Sequence, residues 1–254
     1  MPARFTDQTA LVTGAGSGIG RALALAFADE GARVVVAGRT AATVEETATL
    51  IRKEGGTALA VAADVTRGEE VRGLVRRAAE EFGGLDVAVN NAGVFLGGTP
   101  LADLPEGDWH TLLDVNVTGV FHSLQAEIAQ MRRQSGGGTI VNIASNYGAH
   151  LRTSGVAAYV ASKAAVSALT RAAALDHIGE GIRINAVSPG PTATTMSLRP
   201  GETETDRAAR VSTTSPLGRV STTDEIAAAV LYLASADAAS VIGADLVVDG
   251  GASA

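Results

Sequence analysis

Tyr159 and Lys163 stand four residues apart in the stretch Tyr159-Val160-Ala161-Ser162-Lys163. The run around them, Val156, Val160, Val166, Leu169 and Ala173, has helical spacing, and residues four apart on a helix share a face. The spacing therefore predicts a phenol and an ammonium that point into one cleft. A free tyrosine has a pKa of roughly 10, too high to trade protons well at neutral pH. A fixed cation beside it favours the phenolate. A depression of about 3 pKa units corresponds to roughly 4 kcal/mol of differential interaction, within reach of a partly desolvated ammonium. Such a tyrosine is a general acid/base suited to a carbonyl or alcohol oxygen. A core-facing tyrosine with a solvated lysine has the same spacing, so the rest of the chain has to decide between the two.

The elements that would position this pair alternate along the chain. Thr9–Thr13 reads as a strand running into Thr13-Gly14-Ala15-Gly16-Ser17-Gly18-Ile19-Gly20, and Arg21–Asp29 reads as a helix. In the order strand, glycine-rich turn, helix, the backbone can approach a pyrophosphate at the helix N-terminus. Arg33–Gly38 is a second strand, apolar throughout its middle as in a parallel sheet. The residues after it, Arg39 and Thr40, occupy the place where an acidic residue would bind the 2′-hydroxyl of NAD and an arginine would accommodate the 2′-phosphate of NADP. NADP is therefore the expected cofactor, with NAD possible if Arg39 is merely a solvated charge.

Further along, Val44–Lys53 and Glu69–Phe82 read as helices, and Ala58–Ala62 and Leu85–Val89 as strands. Asp64 follows the third strand, as a turn residue or as an adenine contact. Asn90-Asn91-Ala92-Gly93 follows the fourth, where small and amide side chains suit an adenine and ribose edge. Glu106–Gln130 reads as one long helix that contains Asn116. Thr139–Ile143 is a strand ending near Ser145, and Ile182–Val187 is one ending near Pro189-Gly190. The turn-rich stretch 191–215 reads as a substrate lid, with a short helix around Glu204–Val211. Thr223–Ala234 reads as a helix capped by Thr222 or Thr223, and Leu246–Val248 as a last strand. Seven strands alternating with helices predict an α/β fold, a doubly wound parallel seven-stranded sheet forming a single domain over 1–254.

Composition narrows the function classes. The chain has 254 residues, 46% of them hydrophobic, with a net charge of −7 and no cysteine. Thiolate and disulfide chemistry are excluded, and His110, His122, His150 and His177 lack metal-ligand spacing. The scattered basic residues and acidic balance speak against nucleic acid as a partner. No apolar run reaches the length of a membrane span, and the N-terminus has no signal-peptide layout. The expectation is a cytoplasmic protein with neither a metal nor a membrane partner.

Together these residues carry a resemblance. The chain resembles the short-chain dehydrogenases/reductases of the single-domain type, similar to 3-oxoacyl carrier protein reductases. The resemblance rests on Thr13-Gly14-x-x-x-Gly18-x-Gly20, Asn90-Asn91-Ala92-Gly93, Asn116 with Val117 and Gly119, Ser145, Tyr159-x-x-x-Lys163, Pro189-Gly190 and Val248-Asp249-Gly250-Gly251. It implies an oxidoreductase that interconverts a ketone and a secondary alcohol by hydride transfer. Tyr159 would exchange the proton, Lys163 would lower its pKa and hold the nicotinamide ribose, Ser145 would bind the substrate oxygen, and Asn116 would support a relay water. Gly14, Ser17, Gly18, Ile19 and Gly20 would cradle the pyrophosphate. Asp64 and Val65 would flank the adenine, with Asn91, Ala92 and Gly93 by the ribose. Pro189, Gly190, Thr192 and Thr194 would meet the nicotinamide end, although Thr192 departs from the aliphatic residue common there. The resemblance also implies a homotetramer paired through the helices around Asn116 and Tyr159.

The substrate should meet Val94, Phe95, Leu96, Tyr147, His150, Leu151, Val156 and the segment with Met196. That lining suits a medium, partly apolar carbonyl or alcohol compound. A nucleotide-sensing protein on the same fold is the alternative, but it has no need of Ser145, Tyr159 and Lys163 together.

Overall fold

The computed structural model describes residues 3–254, so residues 1 and 2 of the unit expected over 1–254 lie outside the described residues. Seven strands form one parallel sheet: β1 (Thr9–Val12), β2 (Arg33–Gly38), β3 (Thr57–Ala62), β4 (Val87–Asn90), β5 (Gly138–Ile143), β6 (Ile182–Pro189) and β7 (Asp245–Val248). Their spatial order is β3-β2-β1-β4-β5-β6-β7. The chain winds outward from β1 in one direction and from β4 in the other. The order reverses between β1 and β4, where open α/β sheets leave a ligand crevice at the carboxyl ends of the strands.

The helices are α1 (Gly18–Asp29), α2 (Ala41–Lys53), α3 (Gly68–Phe82), α4 (Glu106–Leu113), α5 (Gly119–Met131), α6 (Ala157–His177), α7 (Glu204–Thr214) and α8 (Thr223–Ala234). Successive strand side chains face opposite ways, and the two cores divide accordingly. Ala10, Val12, Val34 and Val36 pack with Leu23 and Phe27 of α1, Ile51 of α2 and Ile226 and Val230 of α8. Leu11, Val35, Ile140 and Ile184 pack on the other side with Leu74 of α3, Leu124 and Ile128 of α5 and Val166 of α6. A strand buried on both faces has no polar side to show, which is why β1 and β2 read as apolar runs.

Three expectations change in the structure. The helix expected over Glu106–Gln130 is interrupted: between α4 and α5, Asp114–Thr118 form a turn of π-helix. This wider turn carries Asn116, whose amide bonds across to the backbone of Val94, and such bulges recur at functional sites. Leu85 stands outside β4, because its N–H and carbonyl are both taken by the Gln134 side chain, at 2.9 Å each. The helix in the 191–215 segment runs to Thr214. It opens with a capping box in which Thr203 and Asp206 satisfy each other's backbone N–H groups. Thr222 and Glu225 do the same for α8, as the sequence suggested.

Candidate active site

The glycine-rich turn lies between β1 and α1 at the reversal of strand order. Gly14 has φ +64°, and a Cβ there would stand 2.9 Å from the Cα of Ala92. A side chain on Gly20 would collide with the carbonyl of Gly14. The turn thus keeps its backbone bare on the inside. Ser17 precedes α1 in extended conformation and makes no side-chain cap, and no acidic residue stands in the first turn. The free N–H groups there attract an anion. Ile19 packs on the core below. Thr194 comes over the turn from the far side, its Cγ2 3.3 Å from where a Cβ of Gly18 would be. A bare-backboned cradle with an uncapped helix N-terminus fits a dinucleotide pyrophosphate.

The end of β2 forms the adjoining wall. Gly38, Arg39, Thr40 and Thr43 line one cleft with Gly14, Gly16 and Ser17, and Ala63, Asp64, Val65, Ala92 and Gly93 complete it. Among the described residues Arg39 has no ion-pair partner within 4.0 Å. Asp64 is the turn residue the sequence offered as one option: its Oδ1 accepts from the Thr66 N–H and hydroxyl, each at 2.9 Å. Burial alone would raise its pKa, but those bonds and the charges of Arg39 and Arg67 hold it below the ordinary value. Asn91, expected by the ribose, directs its side-chain N–H groups instead to the carbonyls of Thr13 (3.0 Å) and Gly14 (3.3 Å). It shapes the glycine turn rather than facing into the cleft. Thr43, not singled out from the sequence, crowds Gly16. It stood just ahead of the helix expected from Val44 and gave no signal; the structure starts that helix at Ala41.

The four residues expected to do chemistry converge at the carboxyl end of β5. Asn116 is fully buried. Its Oδ1 accepts from Val94 N–H at 2.9 Å, and its Nδ2 donates to Val94 O at 3.0 Å and Ser162 Oγ at 3.1 Å. Gly93 lies between this amide and Lys163: a Cβ there would be 3.2 Å from Asn116 Oδ1 and 3.5 Å from Lys163 Nζ. Ser145 stands beside the phenol of Tyr159, and its Oγ accepts the Tyr147 N–H at 3.2 Å, a donor shared with Asn146 Oδ1 at 2.8 Å. Burial pushes the Tyr159 pKa up, and the Ser145 hydroxyl beside it works against that rise. Any depression by Lys163 of the kind the spacing suggested does not outweigh burial here. Lys163 donates from Nζ to the carbonyl of Ile143 at 2.9 Å, and burial brings its own pKa down to about 8.

On the substrate side, Phe95 stacks edge-on against Tyr159, with ring centres 4.9 Å apart and planes at 75°. Val94, Leu96, Tyr147 and Val156 pack in the same cluster. Met196 is exposed in the turn Thr195–Ser197. That turn is bolted down by Arg207 of α7, a buried side chain that the sequence did not single out, which donates from Nη1 to Thr194 O at 2.8 Å and Ser197 Oγ at 3.0 Å. Thr192 is buried and donates to Gly190 O at 2.9 Å. Pro189 O receives the Asn146 N–H at 2.9 Å, and Gly190 N donates to Val248 O at 3.0 Å. Leu151 donates to Asn146 O at 2.7 Å, closing the loop after Ser145. His150, expected at the substrate, lies with Nε2 3.0 Å from Asp245 Oδ2. It lines a separate cavity of about 600 Å³ with Leu217, Glu225, Asp249 and the C-terminal residues.

Comparison with known proteins agrees with this arrangement. A family model described as enoyl-(acyl carrier protein) reductase matches residues 14–253. A short chain dehydrogenase/reductase of Aspergillus oryzae is 41% identical over 251 residues, covering 97% of this chain and 95% of the relative. A cis-4-hydroxycyclohexanecarboxylate dehydrogenase of Sinomonas cyclohexanicum is 40% identical over 248 residues, 97% of each chain. Among solved structures, a short-chain type dehydrogenase/reductase from Mycobacterium marinum superposes with a TM-score of 0.92 at 39% identity, covering 99% of this chain and 97% of the other. Such relatives are oxidoreductases acting on CH–OH groups, and a nicotinamide dinucleotide, NAD or NADP, is their implied cofactor. The chain belongs to the short-chain dehydrogenases/reductases.

Proposed function

We propose that this enzyme interconverts a ring-bearing, largely apolar ketone and its secondary alcohol, with NADP(H) preferred. The observation that carries the reading is the placing of Ser145 against the phenol of Tyr159, both buried, with Lys163 one helical turn on. When bound, the nicotinamide supplies or accepts the hydride at the substrate carbon. The chain's own residues manage the oxygen. Ser145 and Tyr159 present two hydroxyls to it and stabilise the negative charge that develops during reduction. A phenol kept neutral by burial is the acid form that this direction needs, and it passes its proton to the new alcohol. Lys163 has three donor positions and spends one on Ile143 O. Its remaining donors suit ribose hydroxyls, and its charge favours the phenolate left by proton transfer.

Phe95, Val94, Leu96 and Val156 around Tyr159 offer apolar walls to a ring, and the relative named for a hydroxycyclohexane substrate supports that class. The 191–215 segment, held through Arg207, acts as the lid over substrate. Arg39, with Thr40 and Thr43 beside it in the cleft, supports recognition of a 2′-phosphate. A homotetramer is the assembly proposed, drawing on exposed Phe121 of α5 and Leu175 of α6.

The test follows reduced-nicotinamide absorbance with NADPH and NADH in parallel over cyclic ketones, 3-oxoacyl thioesters, enoyl thioesters and aldehydes. Turnover of cyclic ketones, faster with NADPH, is expected; turnover confined to enoyl thioesters would overturn the carbonyl reading. Arg39→Ala should weaken NADPH binding by roughly 1.5–3 kcal/mol, the loss of a charge-assisted hydrogen bond, and leave NADH binding nearly unchanged. Equal losses for both cofactors would show that Arg39 does not read the phosphate.

A further inference from the structure

The loop that follows Ser145 is held from behind by carboxylates of the edge strand and the turn after it. Asn146 donates from Nδ2 to Asp249 Oδ2 at 3.2 Å. Four residues on, His150 Nε2 stands 3.0 Å from Asp245 Oδ2, and the Asp245 side chain is 1% exposed. The loop returns on itself between these two points: Leu151 N–H bonds Asn146 O at 2.7 Å, and Gly148 N–H bonds Leu151 O at 3.0 Å. Gly148 lies so close to α6 that a Cβ there would stand 3.0 Å from Ala164 N and 3.3 Å from Lys163 Cβ. The loop is therefore clamped between the helix of Tyr159 and the start of β7.

Asp245 is built to receive it. Its Oδ1 accepts from Ser188 Oγ at 2.5 Å, next to Pro189-Gly190, and its Oδ2 accepts from Ser167 Oγ at 2.6 Å, one turn beyond Lys163. A buried carboxylate needs such donors to remain ionised. Among the described residues His150 Nε2 has no aligned hydrogen-bond partner; it meets Asp245 Oδ2 at contact distance, and a small turn of the ring would make it a donor to that carboxylate. The loop reaches the chemistry through the Tyr147 N–H, which Ser145 Oγ shares at 3.2 Å with Asn146 Oδ1 at 2.8 Å; this shared donor bears on the direction in which the serine hydroxyl can serve Tyr159 and substrate.

We propose that His150 and Asp245 form a latch that holds the 146–151 loop in register, so that His150 is a positioning residue for Ser145 and not a substrate contact. Opening the latch lets the Tyr147 amide move off Ser145 Oγ. Small displacements of a reacting group cost up to about a hundredfold in rate. The β1–α1 turn and the end of β2, which would hold the pyrophosphate and adenosine half of the dinucleotide, lie outside the latch.

The latch rests on the catalytic reading of Ser145 and Tyr159, and Tyr159→Phe assayed alongside separates the two. His150→Ala should lower kcat roughly ten- to hundredfold while the Kd for reduced cofactor, read by fluorescence, stays within twofold. His150→Gln, which restores an N–H donor, should recover more than half of the loss on a logarithmic scale. His150→Ala combined with Asp245→Asn should lose no more than His150→Ala alone, as for two parts of one device. A kcat for His150→Ala within twofold of the parent, with Tyr159→Phe inactive, would overturn the latch and leave the catalytic reading standing; so would losses that simply add. A Tyr159→Phe enzyme that still turns over would remove the catalytic reading and the latch with it. Should His150→Ala fold poorly, His150→Gln against His150→Leu reads the same difference.

Discussion

Lys163 on α6 and Glu127 on α5 are both buried on the same side of the sheet, and burial pushes both toward the neutral form. Lys163 falls to about 8 and Glu127 rises to about 7. Their surroundings differ. Lys163 sits where the strands end, with Ser145, Tyr159 and Asn116 about it and only the bare Gly93 before its ammonium. Glu127 sits inside a closed chain of amides: Asn90 Nδ2 donates to Glu127 Oε2 and to Asn142 Oδ1, each at 3.0 Å, and Asn142 Nδ2 donates to Thr170 Oγ1 at 2.9 Å. Perturbed pKa values mark a functional site only when the group also faces a cleft. Lys163 stands directly behind Gly93, which lines the cleft, while Glu127 is enclosed by the amides.

The sharpest way to break this contrast is Lys163→Met. The unbranched thioether fills the space of the lysine stem but brings no charge and no donor. Turnover should fall by at least about a hundredfold, as for loss of a group that supports general acid–base catalysis. The fold should become more stable at pH 7. The folded pKa of Lys163 lies near 8 against an ordinary 10.5, so the ammonium weakens the fold below pH 8. That penalty fades as pH rises between the two values, and the variant's advantage should fade with it. Thermal unfolding of both proteins at pH 7 and pH 10, beside kcat at pH 7, reads the whole prediction. A variant that keeps turnover would place Lys163 with Glu127, as a buried charge without a role.

Which parts of this contrast the sequence carried depends on what each residue interacts with. The strands, the glycine turn and the helix of Tyr159 and Lys163 follow from local patterns, periods of 2 and of 3.6, and appear within a residue or two of where those patterns put them. The break in the helix around Asn116 does not, because it answers to the Val94 backbone 22 residues away. Lys163's turn toward Ile143 O and His150's place against Asp245 are likewise settled by strands far off in the chain. Glu127 itself gave no signal. A glutamate in an α5 sequence reads as a solvent-facing position, and only the packing of α5 on β4 and β5 shows it buried.

Glu127→Gln makes the complementary change. The carboxyl Oε1 and Asn90 Oδ1 are both buried acceptors with no donor among the described residues, and a glutamine amide brings the donor that an ionised carboxylate lacks. Turnover should stay within twofold. Because the folded pKa of about 7 lies above the ordinary 4.5, the wild-type carboxyl supports the fold fully below pH 4.5. That support is lost as pH rises to about 7. The variant should therefore exceed the parent by about 3 kcal/mol at pH 8, the energy of that pKa rise, and the gap should close toward pH 4.5. Urea unfolding at pH 5 and pH 8 measures it. A gap that does not change with pH would mean that Glu127 is ionised throughout.

The smallest effect tests whether the two regions are separate at all. Thr170 lies on α6 within two turns of Lys163, yet its hydroxyl serves the other network: it accepts from Asn142 Nδ2 and donates to Val166 O at 2.8 Å. Thr170→Val keeps the side-chain shape and removes that acceptor, so one buried N–H of Asn142 loses its partner. The expected cost is about 1–3 kcal/mol of stability. No loss of kcat is expected, since the helix backbone under Lys163 and Tyr159 is unaltered and their contacts run to Ile143 and Ser145. A Thr170→Val enzyme with ordinary stability would show that Asn142 finds another acceptor. One with reduced kcat would show that α6 carries strain from the closed network to the open one, and the two buried charges would then have to be treated as a single coupled site.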